Sequence, residues 1–232
     1  MKAIIVAGGH GSRLYPMTNF THKTLLPLCG RPIIDYVLST IRHAGITDIT
    51  IIGNKFIDKI RNHVGKDVRY VLEEEPKGVA PALQLARDGN EGCPLLIWFS
   101  DNITNINLKS DVESFKQGAI FLTRVVDTPS EFGIAVVEDG KVVDVIEKPT
   151  NPPGNLAIGG IYIFDERFWE RLDSVQDSPK FSISDVTRQY LVEDEGRVIS
   201  VGENTWIDCG TPESLHRAAQ MVEDGLFTIR GD

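Results

Sequence analysis

The stretch KAIIVAGGHGSRL, residues 2–14, decides the fold of this chain. Its first part, Lys2–Ala7, is a short apolar run rich in β-branched residues and predicts a buried strand. A glycine-rich turn follows at once, at the carboxyl end of that strand, where open α/β sheets bind their ligands. Three glycines allow backbone amides to approach phosphate oxygens closely, and Arg13 adds a permanent positive charge. We therefore expect an α/β sheet with a triphosphate-binding loop after its first strand.

Neither of two common phosphate motifs fits this loop. A dinucleotide-binding GxGxxG that begins at Gly9 needs glycine or alanine where the chain has Leu14, and a Walker A motif needs Gly-Lys-Ser/Thr at its end. Three glycines alone fit a simple tight turn equally well. Lys23, ten residues after Arg13, favours phosphate binding because it can place a second positive charge over the loop.

The pattern along the rest of the chain predicts one domain, residues 1–232, of the α/β class. In its first part, predicted strands and helices alternate: strands at Lys2–Ala7, Asp48–Gly53, Val68–Glu73 and Pro94–Phe99, and helices at Pro32–Ala44, Lys55–Val64 and Ala80–Gly89. From Gly118 onward strands follow one another closely, at Ala119–Val126, Gly133–Val137, Lys141–Glu147 and Ala157–Phe164. The last predicted helices are Glu166–Leu172, Ser184–Glu193 and Pro212–Asp224. Alternation followed by successive strands predicts a mixed, mostly parallel sheet flanked by helices.

Composition excludes several classes of protein. The formal charge of −9 argues against a broad basic face for nucleic acid, although a small phosphorylated ligand needs only a few local cations. No apolar run approaches the roughly 18 residues of a membrane-spanning helix, and the apolar N-terminal run is too short for a signal peptide. We therefore expect no membrane or nucleic-acid partner and a cytoplasmic location. Three scattered cysteines indicate neither a disulfide framework nor a zinc site.

Two aspartates are candidate metal ligands. Asp101 follows the strand predicted at Pro94–Phe99 and so lies at the same sheet edge as the glycine loop, while Asp208 ends a short apolar strand before a helix capped by Thr211. Carboxylates at a phosphate site suit Mg²⁺, which prefers one or two carboxylates with phosphate oxygens and water. A lone aspartate is more often a turn or helix cap, and this alternative is stronger for Asp208.

The segments GGHGSRLYPMT, residues 8–18, and KTLLP, residues 23–27, closely resemble the signature of the sugar-1-phosphate nucleotidyltransferases, GGxGxRLxPxT followed by KxLLP. The resemblance extends along the whole chain. It implies a Rossmann-like fold with a nucleotide-binding half, about residues 1–117, and a sugar-binding half, about residues 118–232. It also implies transfer of a nucleotidyl group from a nucleoside triphosphate to a sugar 1-phosphate, with Mg²⁺ as cofactor and release of pyrophosphate.

The resemblance assigns roles to individual residues. Arg13 and Lys23 are the catalytic cations, and Asp101 and Asp208, in segments similar to the family's GDN and W-x-D-x-G-T, bind the magnesium ion. The nucleotide is expected to contact Ala7, Gly8, Gly9, Gly11, Ser12 and Gly78. The family's EKP, ERYGV and TGLY segments assign Glu147, Lys148, Gly133 and Gly159 to the sugar phosphate. Without this resemblance, Glu147-Lys148-Pro149 would more often be a solvated loop, and the two glycines strand irregularities.

The nucleotide base is the point at which the chain departs from the family. Residues 75–82 align with a stretch of the glucose-1-phosphate thymidylyltransferases, P-x-G-L-A-Q-A, in which the glutamine reads the pyrimidine. Here Pro81 takes the glutamine position, and proline offers neither a polar side chain nor an amide donor. We favour dTTP with a hexose 1-phosphate, with UTP, CTP and GTP as alternatives. We expect a short form without the regulatory C-terminal extension; a homo-oligomer is possible.

Two other functions compete with this interpretation. Phosphocholine cytidylyltransferases share a similar loop, but they need aromatic and acidic residues around a quaternary ammonium, whereas Lys148 favours a sugar phosphate. A non-catalytic, regulatory domain of the same fold is the other alternative. The joint presence of Arg13, Lys23, Asp101, Lys148 and Asp208 argues against it.

Overall fold

The computed structural model describes residues 1–175, 182–202 and 205–229. The elements of its first half are β1 (Lys2–Ala7), β2 (Pro27–Leu28), β3 (Arg31–Pro32), α1 (Ile33–His43), β4 (Ile49–Gly53), α2 (Ile57–Val64), β5 (Arg69–Leu72), α3 (Val79–Leu85), β6 (Leu95–Phe99), β7 (Asn102–Thr104) and α4 (Lys109–Ser114). Those of its second half are β8 (Ala119–Val125), β9 (Gly133–Glu138), β10 (Lys141–Glu147), β11 (Leu156–Phe164), α5 (Phe168–Val175), α6 (Ile183–Val192), β12 (Gly196–Ser200), β13 (Trp206–Asp208) and α7 (Pro212–Glu223).

Nine of the described strands form one mixed sheet. Its path is β10-β9-β11-β6-β1-β4-β5, and β8 pairs with β11 and β12 away from this path. The strands β6, β1, β4 and β5 are parallel, so their carboxyl ends share one edge. The strand β11 runs antiparallel to β6 and joins the two halves of the chain in one sheet. The predicted α/β class with a mixed, mostly parallel sheet is confirmed.

Helices cover both faces of the sheet because its strands are apolar on both sides. Along β1, Ile5 belongs to a core shared with α1, α2 and α7, whereas Ile4 belongs to a second core with α3, α5 and α6. The second core is centred on Phe164 of β11, whose ring centroid lies 4.9 Å from Phe168 and 5.4 Å from Tyr190. Within the described residues, no helix has the length and hydrophobicity that crossing a bilayer requires.

Most predicted elements are present within two residues of their predicted ends, and the structure adds several that were not predicted. The tight turn between β9 and β10 has positive φ angles at Asp139 and Gly140, as the Asp-Gly pair predicts. The third helix ends at Leu85 rather than Gly89, and the Asn90 side chain donates to the Ala86 carbonyl just beyond that end. The strands β7 and β12 and the helix α4 were not predicted, because short segments carry little periodicity.

Truncation of the ring at the centre of the second core tests this packing. We expect Phe164→Ala to lower the free energy of unfolding by about 3–5 kcal/mol, since it leaves a cavity among aromatic rings. The matched control is Phe20→Ala, because the Phe20 side chain is 81% exposed. The control should change stability by no more than about 0.5 kcal/mol. If urea unfolding showed the same loss of unfolding free energy for both variants, this assignment of the core would be wrong.

Candidate active site

The glycine loop presents a row of free backbone amides. Among the described residues, the N–H groups of residues 9–13 donate to no protein acceptor. The Gly11 backbone has a φ of 63°, a left-handed conformation that glycine adopts without strain, and the Thr18 hydroxyl donates to its carbonyl at 2.8 Å. Consecutive unpaired amides form a concave site for anions. The geometry of the loop therefore suits phosphate oxygens.

Lys23 and Asp101 form an ion pair beneath the loop. The lysine begins a short 3-10 helix, Lys23–Leu25, and the aspartate follows β6, so two separate segments bring the charges together. Only 17% of the lysine side chain and 8% of the aspartate side chain are exposed. Burial opposes ionisation of both groups, but each charge stabilises the other, so the pKa of Lys23 is raised and that of Asp101 is lowered. Both groups are therefore charged at neutral pH.

Asp208 joins this pair through a small ladder between β7 and β13. The ladder places Asp208 opposite Asn102, and the Cys209 amide donates to the Asp101 carbonyl at 2.7 Å. Burial, and next the charge of Asp101, raise the pKa of Asp208 to about 7. Asp101 is buried and Asp208 is half-buried, so two neighbouring carboxylates share one lysine, and a divalent cation is the partner that would relieve their repulsion. The two carboxylates fit Mg²⁺, which takes one or two carboxylates together with phosphate oxygens and water. The described residues hold no group of three or more His, Cys, Asp or Glu side chains that could bind a metal, so phosphate oxygens would supply further ligands.

A cleft of about 820 Å³ opens beside these residues. Arg13 and Asp208 line it, together with Gly78, whose φ is 117°. Glu147 and Lys148 line it where β10 ends. The volume and the charges on both sides suit two phosphorylated substrates held close together.

The part of the cleft that holds Glu147 is built on the hairpin of β9 and the edge strand β10. The Ser184 hydroxyl donates to the Glu147 carboxylate at 2.7 Å, which fixes that carboxylate at the cleft wall. A Cβ atom at Gly133 would lie 3.0 Å from the Ser184 hydroxyl, so glycine leaves room for this hydrogen bond. The Lys148 amide donates to the Phe132 carbonyl at 3.0 Å, and its backbone has a φ of 41°. The predicted sugar residues Gly133, Glu147 and Lys148 are therefore together.

Gly159 occupies a different position from the other predicted sugar residues. A Cβ atom there would lie 3.3 Å from the Trp206 ring, so Gly159 allows the indole to pack on β11. Its neighbour Gly160 lines the cleft, and its amide donates to the Asn102 side chain at 3.3 Å. Asn102 in turn donates to Asp101 at 2.9 Å. The glycine that allows close approach at the cleft is thus Gly160.

Arg13 crosses the cleft to the second half of the chain. Its guanidinium donates to Glu131 at 3.0 Å and lies against Gly210, where a Cβ atom would be 2.7 Å from it. The pair is half-exposed, with 55% of the Arg13 side chain and 47% of the Glu131 side chain accessible. Arg13 is thus held at the cleft beside Asp208 and accessible to a ligand.

Several polar residues at the site were not predicted from sequence. Asn54 follows β4 and Glu73 follows β5, and both side chains are buried against the glycine loop. The Asn54 side-chain amide donates to the Gly8 and Gly9 carbonyls. The Glu73 carboxylate contacts Gly8. The rule that pointed to Asp101, a polar residue directly after a parallel strand, would have found both. Ser184 carries no such signal, because it lies in the first turn of α6.

The fold and this site define a nucleotidyltransferase that acts on sugar phosphates. A model of the nucleotidyl transferase family matches residues 2–225. The chain belongs to this family, and it is a sugar-1-phosphate nucleotidyltransferase. The predicted resemblance and the predicted class of enzyme are confirmed.

Individual relatives agree with this assignment. The chain is 35% identical to a low-salt glycan biosynthesis nucleotidyltransferase of Haloferax volcanii, over 100% of the chain and 69% of the relative. It is 34% identical to the glucose-1-phosphate thymidylyltransferase of Xanthomonas campestris pv. campestris, over 96% of the chain and 80% of the relative. A crystal structure described as a glucose-1-phosphate thymidylyltransferase of Bacillus anthracis, in complex with a sucrose, superposes with a TM-score of 0.88 at 31% identity, over 97% and 96% of the two chains. A UDP-glucose pyrophosphorylase complexed with UDP-glucose shares the fold, with a TM-score of 0.83 at 20% identity and coverage of 97% and 98%.

A methyl group added at Gly160 should displace Asn102 and, through it, the Asp101 carboxylate. A Cβ atom at Gly160 would lie 2.8 Å from both the Asn102 amide and the Phe99 Cβ atom. We expect Gly160→Ala to lower kcat by about tenfold or more, because displacement of Asn102 moves Asp101. In Gly154→Ala, the control, the new Cβ atom meets nothing within 4 Å and kcat should not change. Unchanged kcat in Gly160→Ala, measured as pyrophosphate release, would rule out this support.

Buried His22 should make stability depend on pH. Burial, and next the charge of Lys23, lower the pKa of His22 to about 4 from an ordinary value of 6.5. The unfolded chain therefore binds a proton between pH 6.5 and pH 4 that the folded chain does not. The free energy of unfolding should fall across this range as the pH is lowered, by up to about 3 kcal/mol from this group. Urea unfolding should show a shallower pH dependence in His22→Asn; identical slopes would exclude His22 as the cause.

Proposed function

We propose that the chain joins dTTP to a hexose 1-phosphate, giving a dTDP-sugar and pyrophosphate. The observation that carries the proposal is the cluster of Lys23, Asp101 and Asp208 beneath a loop of unpaired amides, at one end of a cleft with Glu147 and Lys148 at the other. The names of the relatives from Xanthomonas campestris and Bacillus anthracis support the thymidylyl group and make glucose 1-phosphate the first candidate.

In the proposed reaction, a phosphate oxygen of the sugar 1-phosphate attacks the α-phosphorus in line. The new oxygen–phosphorus bond forms as the bond to the β-phosphate oxygen breaks, and pyrophosphate leaves with the electron pair. Two anions must meet, so positioning and neutralisation of charge dominate over acid–base chemistry. Arg13 and the loop amides stabilise the departing pyrophosphate, Lys23 contacts the phosphates near the point of transfer, and Lys148 holds the attacking phosphate. Glu147 accepts hydrogen bonds from sugar hydroxyls.

Asp101 and Asp208 would hold the magnesium ion. When bound, the ion supplies charge neutralisation between the attacking and accepting phosphates. The protein contributes the placement of both carboxylates: Asn102 donates to Asp101, and the Gly210 amide donates to Asp208 at 2.7 Å. With these donors, each carboxylate keeps an orientation set by the backbone of β7 and β13.

The identity of the nucleotide base is the most specific part of the proposal. Pro81 lies in the first turn of α3 with its side chain exposed, beside Gly78 and Val79 at the cleft. Proline cannot replace the side-chain hydrogen bonds of the family's glutamine, so base selection would rest on backbone groups and shape in this segment. UTP, CTP and GTP are therefore the competitors against which dTTP must be measured.

The cytoplasmic location expected from the sequence stays a prediction.

The test is Mg²⁺-dependent pyrophosphate release, measured for dTTP, UTP, CTP, GTP and ATP against several hexose 1-phosphates and phosphocholine. We expect the highest kcat/KM with dTTP and a hexose 1-phosphate. Asp101→Asn and Asp208→Asn should each lower kcat at least about a hundredfold, because a metal-binding carboxylate contributes several kcal/mol to the transition state. Lys148→Ala should raise the KM of the sugar phosphate and leave that of the nucleotide unchanged.

The matched control for the carboxylates is Asp48→Asn. Asp48 forms an ion pair with Lys2 at 2.8 Å, away from the site. The kcat of the Asp48→Asn variant should therefore stay within about twofold of that of the parent protein. A higher kcat/KM with another nucleotide would replace dTTP in the proposal. Turnover of phosphocholine alone would overturn the assignment of a sugar phosphate as the acceptor. Undiminished activity in both aspartate variants would overturn the assignment of the metal ligands.

A further inference from the structure

The side chain of Asn54 holds the back of the glycine loop. Its amide nitrogen donates to the Gly8 carbonyl at 3.2 Å and to the Gly9 carbonyl at 3.1 Å, and its oxygen accepts from the Phe56 amide at 3.0 Å. The residue is 3% exposed. Because all three hydrogen bonds go to backbone groups, the orientation of the Asn54 amide is fixed and both of its donors are directed at the loop.

This contact fixes the direction of two loop amides. In a trans peptide the N–H group points away from the C=O group of the same unit. With the Gly8 and Gly9 carbonyls turned toward Asn54, the N–H groups of Gly9 and His10 must point to the opposite side of the loop. In the described structure, these two amides have no protein acceptor, so they are free to bind a ligand.

His22 contributes to the same arrangement from a second direction. Its Nδ1 atom accepts from the Thr24 amide at 3.1 Å, so the proton of the neutral ring is on Nε2. The Nε2 atom is buried without a hydrogen-bond partner of good geometry, and the Gly9 and Ala7 carbonyls lie near the ring. Two buried polar side chains, Asn54 and His22, therefore lie near the carbonyl oxygens at the start of the loop.

The sides of the loop differ in their electrostatic character. A small cavity of about 340 Å³ lies on the Asn54 side, lined by His10, Lys55 and Phe56. Carbonyl oxygens turned toward this side disfavour an anion there, in spite of the nearby lysine. The Lys23 ammonium, which is paired with Asp101, lies 3.8 Å from the position of a Cβ atom at Gly9. Free amides and a nearby buried cation together favour phosphate on the side of the loop to which the amides point.

We propose that Asn54 is a positioning residue of the phosphate loop: by binding the Gly8 and Gly9 carbonyls, it directs the Gly9 and His10 amides at the phosphates of the nucleotide. This inference rests on the proposed function only in taking the ligand of the loop to be a nucleoside triphosphate. Asn54 does not touch the substrate, and its contribution is the orientation of amides that would otherwise rotate. The His22 ring lies near the Gly9 carbonyl as well, without a hydrogen bond to it.

The variant Asn54→Asp tests this role. It keeps the oxygen that accepts from Phe56, removes the donors, and places a carboxylate against the two carbonyls, so the first two peptide units of the loop should rotate. We expect the Kd of inorganic tripolyphosphate, measured by titration calorimetry with Mg²⁺, to rise about tenfold or more. In turnover, the KM of the nucleotide should rise and kcat should fall, with the KM of the sugar 1-phosphate unchanged.

The matched control is Asn90→Asp. Asn90 is also fully buried and donates through its side chain to the Ala86 carbonyl at 2.7 Å and to the Thr50 hydroxyl at 3.2 Å, away from the loop. It should lose thermal stability as Asn54→Asp does, while the Kd of tripolyphosphate stays within about twofold. Asn54→Ala, which removes the donors without adding a charge, serves if the aspartate variant does not fold.

The outcomes separate this inference from the proposed function. Unchanged tripolyphosphate affinity in both Asn54 variants, or an equal loss in Asn90→Asp, would overturn the positioning role. Failure of the parent protein to bind tripolyphosphate would overturn it as well, because the loop would then not present its amides to phosphate. Normal binding that depends on Asn54, with no turnover of any sugar 1-phosphate, would refute the proposed reaction and leave the positioning role supported.

Discussion

The site depends on the placement of two carboxylates side by side, the buried Asp101 and the half-buried Asp208. Asp101 ends the first half of the sheet and Asp208 comes more than a hundred residues later, and the ladder between β7 and β13 joins them. Such a pair is unstable without compensation, because each charge raises the pKa of the other. Lys23 compensates in part, which explains why it is buried in an ion pair rather than solvated. The remaining charge is available to a cation that arrives with phosphate.

The parallel part of the sheet assembles the nucleotide side around these groups. The strands β1, β4, β5 and β6 end at one edge, and a segment of the site follows each of them: the glycine loop, Asn54, Glu73 and Asp101. The antiparallel insertion of β11 beside β6 then brings the edge hairpin of β9 and β10 to the same cleft. One sheet thus carries the glycine loop and a separate wall of the cleft with Glu147 and Lys148, to which the proposed function assigns the second substrate.

Residue pattern alone predicts the parts of this site that lie in one continuous segment. For the parts that depend on pairing between distant segments it gives only single candidates, and their roles were assigned by the family resemblance. The strand and loop of residues 2–14 could be predicted because hydrophobic pattern and glycine spacing are local. The ladder that brings Asp208 beside Asp101 involves three residues from each strand, too few for a periodic signal. Gly159 was predicted at the cleft in place of Gly160 because alternation along a strand makes a shift of one residue change the face.

The charges of Arg13 and Lys23 are held in internal pairs, and this reconciles an acidic chain with anionic substrates. Arg13 is paired with Glu131 and Lys23 with Asp101, so neither cation is unbalanced. A half-exposed pair such as Arg13 and Glu131 contributes only about 0–1 kcal/mol, so a triphosphate can displace Glu131 at little cost. The buried Lys23 cannot be released so easily, and its charge remains fixed beneath the loop. In the proposed reaction the two cations would therefore differ in function: Arg13 would exchange Glu131 for the substrate, and Lys23 would provide a permanent field at the point of transfer.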